Sequence, residues 1–152
     1  MAHGASDVGP NRLLTKPPGG PTIQHEWKQL HPIRDLDSKL IACNSPGTPG
    51  KIAAPVKAGG SIKAQWSQWP HQSGPVTVYM AECPGDCASV APSSLDWFKI
   101  YQAGLIAGTS AHGKWGASEM IKNDNSLTVK IPMLKPANYL IRHETIVCAS
   151  RG

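Results

Sequence analysis

The chain has 152 residues, with 15 Lys and Arg against 10 Asp and Glu and a formal net charge of +5. A chain of this length buries about 70% of the surface that its unfolded form exposes, so it can form one domain with its own core. Charged residues make up 16% of the chain, against about 25% in an average soluble protein, while 15 Gly and 14 Pro interrupt it. This composition disfavours helical bundles and coiled coils and favours a β protein with many short strands.

The positive charge is dispersed along the chain. Basic residues occur from Arg12 to Arg151 without a basic run, so the sequence does not predict nucleic-acid binding. No run of 18 apolar residues is present, and we therefore predict no segment that spans a membrane. The first 20 residues lack the apolar core of a signal peptide.

Two regions are predicted along the chain. Residues 1–24 contain Gly, Pro and Ser without periodicity, which predicts an irregular leader, and residues 25–152 form the domain. Four segments of this domain alternate apolar and polar residues with the period of two that is typical of a half-buried strand. They are Ile62–Trp66, Val76–Met80, Leu127–Ile131 and Asn138–Cys148, the last with Tyr139, Ile141, His143, Thr145 and Val147 on one face.

Two weaker elements complete the prediction. Trp97–Ile100 is interpreted as a fifth strand, and Trp115–Ile121 as a short helical turn. Five or more short strands separated by turn residues predict an all-β, antiparallel β-sandwich.

The cysteines bear on the cellular compartment. Cys83 and Cys87 flank a Pro-Gly-Asp turn, which can bring their two thiols within bonding distance. Half of a zinc site is the alternative, although Cys43 and Cys148 are single and distant in sequence. The pattern favours a disulfide between Cys83 and Cys87, and with it an oxidising compartment.

Several sequence blocks resemble one known family in their order. They are Pro32–Asp35, Ile41–Asn44, Val56–Gly60, Gln65–Pro70, Gly74–Ala81, Trp97–Ile100, Lys114–Ala117, Ile121–Asn125, Val129–Pro132 and Pro136–Glu144. This series resembles the fungal lytic polysaccharide monooxygenases of auxiliary activity family 9, formerly glycoside hydrolase family 61. The resemblance extends from about Leu30 to Val147, with Ala137 where the family usually has Gly.

The resemblance implies a fold and a function. The fold is an immunoglobulin/fibronectin-like β-sandwich with long loops, which we expect to be incomplete in this chain. The function is copper-dependent oxidative cleavage of cellulose or a related β-glucan, by an extracellular monomer that uses an external electron donor. The alternative is a non-catalytic secreted β-sandwich that binds polysaccharide.

The resemblance also implies a metal site. In the family, an N-terminal histidine and a second imidazole hold the copper, and a tyrosine oxygen is the axial ligand. His3 is the candidate for the first ligand, after processing between Ala2 and His3. Gln72 stands at the position of the second ligand, with His71 one residue earlier, and an offset of one residue reverses the direction of a strand side chain. The axial tyrosine has no counterpart. We therefore expect a truncated or degenerate member with impaired copper binding.

Four further residues take family roles by the same resemblance. His143 corresponds to the catalytic histidine that positions oxygen beside the copper; a strand histidine hydrogen-bonded to a neighbour is the alternative. Cys83 and Cys87 correspond to the family's short-range disulfide. Cys43 pairs in the family with a cysteine that has no counterpart here, so Cys148 is either its substitute partner or free.

Overall fold

The computed structural model describes residues 5–6 (backbone only), 22–25, 32–44 and 47–148. In chain order its regular elements are β1 (Ala5–Ser6), β2 (Ser61–Gln65), β3 (Val76–Cys83), β4 (Phe98–Ala103), β5 (Leu105–Ala107), β6 (Lys114–Trp115), α1 (Gly116–Lys122), β7 (Ser126–Lys130) and β8 (Asn138–Thr145). Single 3₁₀ turns occur at Lys39–Ala42, Cys87–Ser89 and Pro92–Ser94. Within these ranges no helix has the length and apolar character needed to cross a membrane.

Two three-stranded antiparallel sheets form the body of the fold. Their strand orders are β1-β2-β7 and β4-β3-β8, and β5 and β6 form a separate two-stranded hairpin. In the first sheet Ile62 pairs with Val129 and Ala64 with Leu127. Because side chains alternate along a strand, this register places the apolar residues of β2 and β7 on the same inner face. The predicted antiparallel β-sandwich is confirmed.

The core lies between the inner faces of the two sheets. Trp66, which follows β2, is 2% exposed and belongs to one cluster with Val76 and Val78 of β3 and Val129 of β7. These residues are among those that the period-two alternation predicted to be buried. Helix α1, predicted as a short turn, adds the buried side chain of Met120 to this cluster.

Three features differ from the sequence prediction. Ala5–Ser6, predicted to lie in an irregular leader, pairs with β2 opposite Gln65 and Ala64, whereas residues 1–4 and 7–21 of that leader lie outside the described residues. Strand β8 ends at Thr145 rather than continuing to Cys148. The β5–β6 hairpin was not predicted, because its strands of three and two residues are too short for alternation to be recognised.

The predicted disulfide between Cys83 and Cys87 is present, with their Cα atoms 5.3 Å apart. The turn between them contains Gly85 at a φ of 102°, a conformation that favours glycine. Asp86 caps the following 3₁₀ turn, because its carboxylate accepts a hydrogen bond of 3.0 Å from the amide of Ala88. The bond uses both thiols, which excludes the zinc half-site.

Cys43 and Cys148, considered as a possible disulfide, are both free. Cys43 follows Ile41, whose carbonyl accepts a hydrogen bond from Arg142 in the middle of β8. Cys148 lies beyond the end of β8, where its amide donates to the carbonyl of Ser73. An extended segment from position 142 to 148 spans roughly 20 Å, whereas a disulfide requires Cα atoms within about 7 Å. The two cysteines therefore belong to different parts of the sandwich.

Candidate functional site

The loop between β2 and β3 carries the candidate metal ligand His71. Its imidazole packs edge-to-face against Trp69, with 5.8 Å between ring centroids and an interplanar angle of 77°. The amide of Trp69 donates to the side-chain oxygen of Asn125 at 3.1 Å, which joins the loop to the segment between α1 and β7. Both His71 and Gln72 are exposed. The loop thus presents an imidazole and an amide to solvent.

Gly74 fixes the other end of this loop. Its φ is 149°, and a Cβ atom at this position would collide with the backbone carbonyl of Ile146. The carbonyl of Gly74 accepts a hydrogen bond of 3.1 Å from the amide of Ala117 in α1. A glycine is therefore required for the loop to pass between α1 and the segment that follows β8.

His143 lies in the core and not at the surface. It is 3% exposed, and its ring packs edge-to-face against Trp66 at a centroid distance of 5.6 Å. Its Nε2 atom is buried and makes no hydrogen bond, so the alternative of a hydrogen-bonded strand histidine is not met at this atom. Burial lowers the pKa of His143 to about 4, because desolvation disfavours the imidazolium. His71 and His143 thus pack on different tryptophans, one at the surface and one inside.

We expect the buried imidazole to make stability depend on pH. The pKa of His143 is about 4 in the folded chain, against an ordinary value of 6.5. Between pH 4 and pH 6.5 the unfolded state therefore binds a proton that the folded state does not bind. The free energy of unfolding should be highest above pH 6.5, and it should fall by about 3 kcal/mol as the pH decreases to 4. Urea unfolding of the wild type and of His143→Phe from pH 4 to 7 measures the difference. Parallel profiles for the two proteins would contradict this assignment.

A copper site in this fold would need a set of nitrogen ligands held close together. Imidazole and amine nitrogens suit copper, and at least three donors are needed for a preorganised site. Across residues 22–25, 32–44 and 47–148 no group of three His, Cys, Asp or Glu side chains is placed to hold a metal ion. His3 lies outside the described residues. Among the described residues, the loop before β3 supplies one exposed imidazole, that of His71.

A buried arginine on the opposite face of β8 was missed by sequence reasoning. The guanidinium of Arg142 lies between the rings of Tyr79 and Trp97, at 4.4 and 4.9 Å from their centroids. It donates to the carbonyl of Ile41 at 3.2 Å and pairs with the carboxylate of Glu144 at 3.2 Å. Alternation along β8 predicted only one buried face, and Arg142 is on the other. The sequence signals for a buried arginine were therefore limited to the aromatic residues Tyr79 and Trp97. Arg142 attaches the segment 32–44 to the outer face of the second sheet.

A cavity of about 470 Å³ opens between the two sheets. Aliphatic side chains from three strands supply much of its wall, with Ile62 on β2, Met80 on β3 and Ile141 on β8. His143, His25 and Cys43 also line it. Burial lowers the pKa of His25 and raises the pKa of the Cys43 thiol to about 11, so both groups are uncharged at neutral pH. No pattern in the sequence indicated this cavity.

Comparison with known sequences identifies relatives over most of the chain. Residues 4–150 match the model of Auxiliary Activity family 9, formerly GH61. The chain is 47% identical to the AA9 family lytic polysaccharide monooxygenase B of Heterobasidion irregulare, over 86% of this chain and 55% of the relative. It is 48% identical to the AA9 family lytic polysaccharide monooxygenase A of Malbranchea cinnamomea, over 99% of this chain and 46% of the relative. The chain spans about half the length of these curated relatives.

Solved structures match the fold as well. The crystal structure of HiLPMO9B is similar with a TM-score of 0.81 and 47% identity, over 85% of this chain and 59% of that chain. A cellulose-active polysaccharide monooxygenase from M. thermophila is similar with a TM-score of 0.78 and 35% identity, over 87% and 61%. The family model matches residues 4–150 and the fold matches over 85% of the chain, and the chain therefore belongs to Auxiliary Activity family 9.

Proposed function

We propose that the protein acts in the oxidative cleavage of cellulose, a β-1,4-glucan, with copper as the family cofactor and an external electron donor. The family match over residues 4–150 is the observation that carries this proposal. One similar structure is described as a cellulose-active polysaccharide monooxygenase. The Cys83–Cys87 disulfide supports an extracellular location, because such bonds persist in oxidising compartments.

We further propose that this chain is impaired as an enzyme. His71 is exposed and offset by one residue from the position of Gln72, and the described part of the chain supplies no three-residue ligand group. The ligands of a metal site act as a unit, so the loss of several produces a large defect rather than a small additive one. His143 stays a proposed contributor to the oxidative reaction, although its burial against Trp66 separates it from the exposed His71 loop.

A non-catalytic secreted protein that binds polysaccharide is the second candidate. This candidate needs a surface and not a metal, and it therefore agrees with the absence of a three-residue ligand group among residues 22–25, 32–44 and 47–148. The exposed side chain of His71 beside Trp69 would then belong to a binding surface. Adsorption that is unchanged by a chelator together with no oxidised product distinguishes this candidate from a weak enzyme.

Oxidised cello-oligosaccharides released from cellulose by copper-loaded protein and ascorbate test the proposal. We expect at least about a hundredfold less product than from the Heterobasidion irregulare relative assayed in parallel, because misplaced ligands alone cost about that factor. Chromatography of the soluble products measures it, with chelator-treated protein as the background.

Two variants make the result decisive. His71→Ala should abolish any product above background, whereas His112→Ala, which removes an exposed imidazole from a separate turn, should not. Product within tenfold of the relative would show that the proposed impairment is wrong. If the protein neither adsorbs to cellulose nor releases oxidised product, both candidate functions are wrong.

A further inference from the structure

One residue outside the loop between β2 and β3 holds that loop in place. The amide of Trp69 donates to the side-chain oxygen of Asn125 at 3.1 Å, and the amide of Trp66 donates to the backbone carbonyl of Asn125 at 2.9 Å. Among the described residues, Asn125 is the single hydrogen-bond partner of residues 67–72. The position of this loop on the sandwich therefore depends on Asn125.

The backbone of Asn125 suits this double contact. Its φ is 49° and that of Asp124 is 54°, so two successive left-handed residues turn the chain between α1 and β7. Asn, Asp and Gly adopt this conformation more readily than other residues. Of these three, only Asn and Asp carry a side-chain oxygen that can accept the amide proton of Trp69.

Trp69 connects this anchor to His71. The indole of Trp69 packs against the core cluster, and its buried Nε1 atom makes no hydrogen bond within the described part of the chain. The exposed imidazole of His71 packs edge-to-face on this indole, with 5.8 Å between the ring centroids. Because residues 67–72 have no other hydrogen-bond partner among the described residues, this ring contact sets the direction of the imidazole.

We propose that Asn125 is a positioning residue for the surface formed by Trp69 and His71. Its side-chain oxygen fixes Trp69, and Trp69 orients the exposed imidazole for contact with polysaccharide. Through its carbonyl the same residue holds Trp66, which packs on the buried His143. Asn125 thus sets where the exposed histidine lies relative to the buried one. The contact with polysaccharide rests on the proposed function, whereas the positioning does not.

The NMR resonances of the His71 imidazole test the positioning, because the ring current of Trp69 displaces them. Trp69→Leu removes the ring and measures the full displacement. Asn125→Gly keeps the left-handed backbone and the carbonyl but removes the side-chain oxygen, so it should abolish at least half of this displacement. Asn125→Asp keeps an acceptor oxygen at the same place and should retain most of it. All spectra are compared at one fixed pH.

Asp124→Gly is the matched control for the glycine substitution. It introduces glycine at the neighbouring left-handed position and leaves Asn125 in place, so the resonances of His71 should stay as in the wild type. An equal loss of displacement in both glycine variants would show that the turn acts through its stiffness and not through the Asn125 oxygen, which overturns the proposal. Full displacement in Asn125→Gly would overturn it as well.

Adsorption to cellulose tests the contact with polysaccharide. The affinity of Asn125→Gly should fall by about threefold to tenfold, the cost of ordering one or two side chains on binding. Asn125→Asp and Asp124→Gly should adsorb as the wild type does. Unchanged adsorption of Asn125→Gly would show that the Trp69 and His71 surface does not contact the polymer. A wild type that does not adsorb would contradict the proposed function alone, because the His71 resonances decide the positioning by themselves.

Discussion

Replacement of Trp66 with Ala is expected to lower the free energy of unfolding by about 3–5 kcal/mol. Trp66 is 2% exposed and is among the largest fully buried side chains. It contacts both sheets, because it follows β2 and packs against Val76 and Val78 of β3. Its removal would leave a cavity and would also remove the edge-to-face contact with His143. Urea unfolding at pH 7 measures the change.

Leu36→Ala is the matched control for this experiment. Leu36 is 77% exposed, so its truncation should change the free energy of unfolding by less than about 0.5 kcal/mol. A Trp66→Ala variant as stable as Leu36→Ala would mean that the two sheets do not share one core.

Replacement of Arg142 with Ala is expected to cost about 3–5 kcal/mol, the range for removal of one partner from a buried ion pair. The Arg142 side chain is 9% exposed and that of Glu144 is 14% exposed, so the glutamate would keep its charge with little solvation. The variant would also lose the contacts with the Tyr79 and Trp97 rings and the hydrogen bond to Ile41. Chemical denaturation at pH 7 gives the change in the free energy of unfolding.

Further variants separate the charge of Arg142 from its shape. Arg142→Lys keeps the charge but lacks the planar guanidinium that stacks between two rings, so it should recover less than half of the lost stability. The double variant Arg142→Leu, Glu144→Leu should be more stable than Arg142→Ala, because no unpaired charge stays buried. Lys135→Ala breaks the exposed pair with Glu82 and should cost less than about 1 kcal/mol. Similar losses for Arg142→Ala and Lys135→Ala would contradict the burial of the Arg142–Glu144 pair.

The candidate metal site stays a prediction, whereas the family and the position of two of its residues can be compared with the structure. The resemblance identified the family correctly, since its sequence blocks lie along one chain in a recognisable order. It also matched Gln72, next to His71, to the position of the second ligand, and the structure shows both residues to be exposed on the loop before β3. It did not reveal that His143 is buried against Trp66, because a sequence match does not state which surfaces cover a side chain.

The sequence alone determined the strands β2, β3, β7 and β8 and the disulfide of this protein. Alternation along β2, β3, β7 and β8 follows from the strand geometry of neighbouring residues, and Cys83 and Cys87 are joined by a turn between them. Only the tertiary structure decided that both faces of β8 are covered. His143 meets Trp66 on one face, and on the other Arg142 bonds to Ile41, which lies 101 positions away in the chain. The cavity also depends on the tertiary structure, because its wall combines side chains from β2, β3 and β8. Contacts between distant segments depend on how the two sheets pack, and no local periodicity of the sequence records that packing.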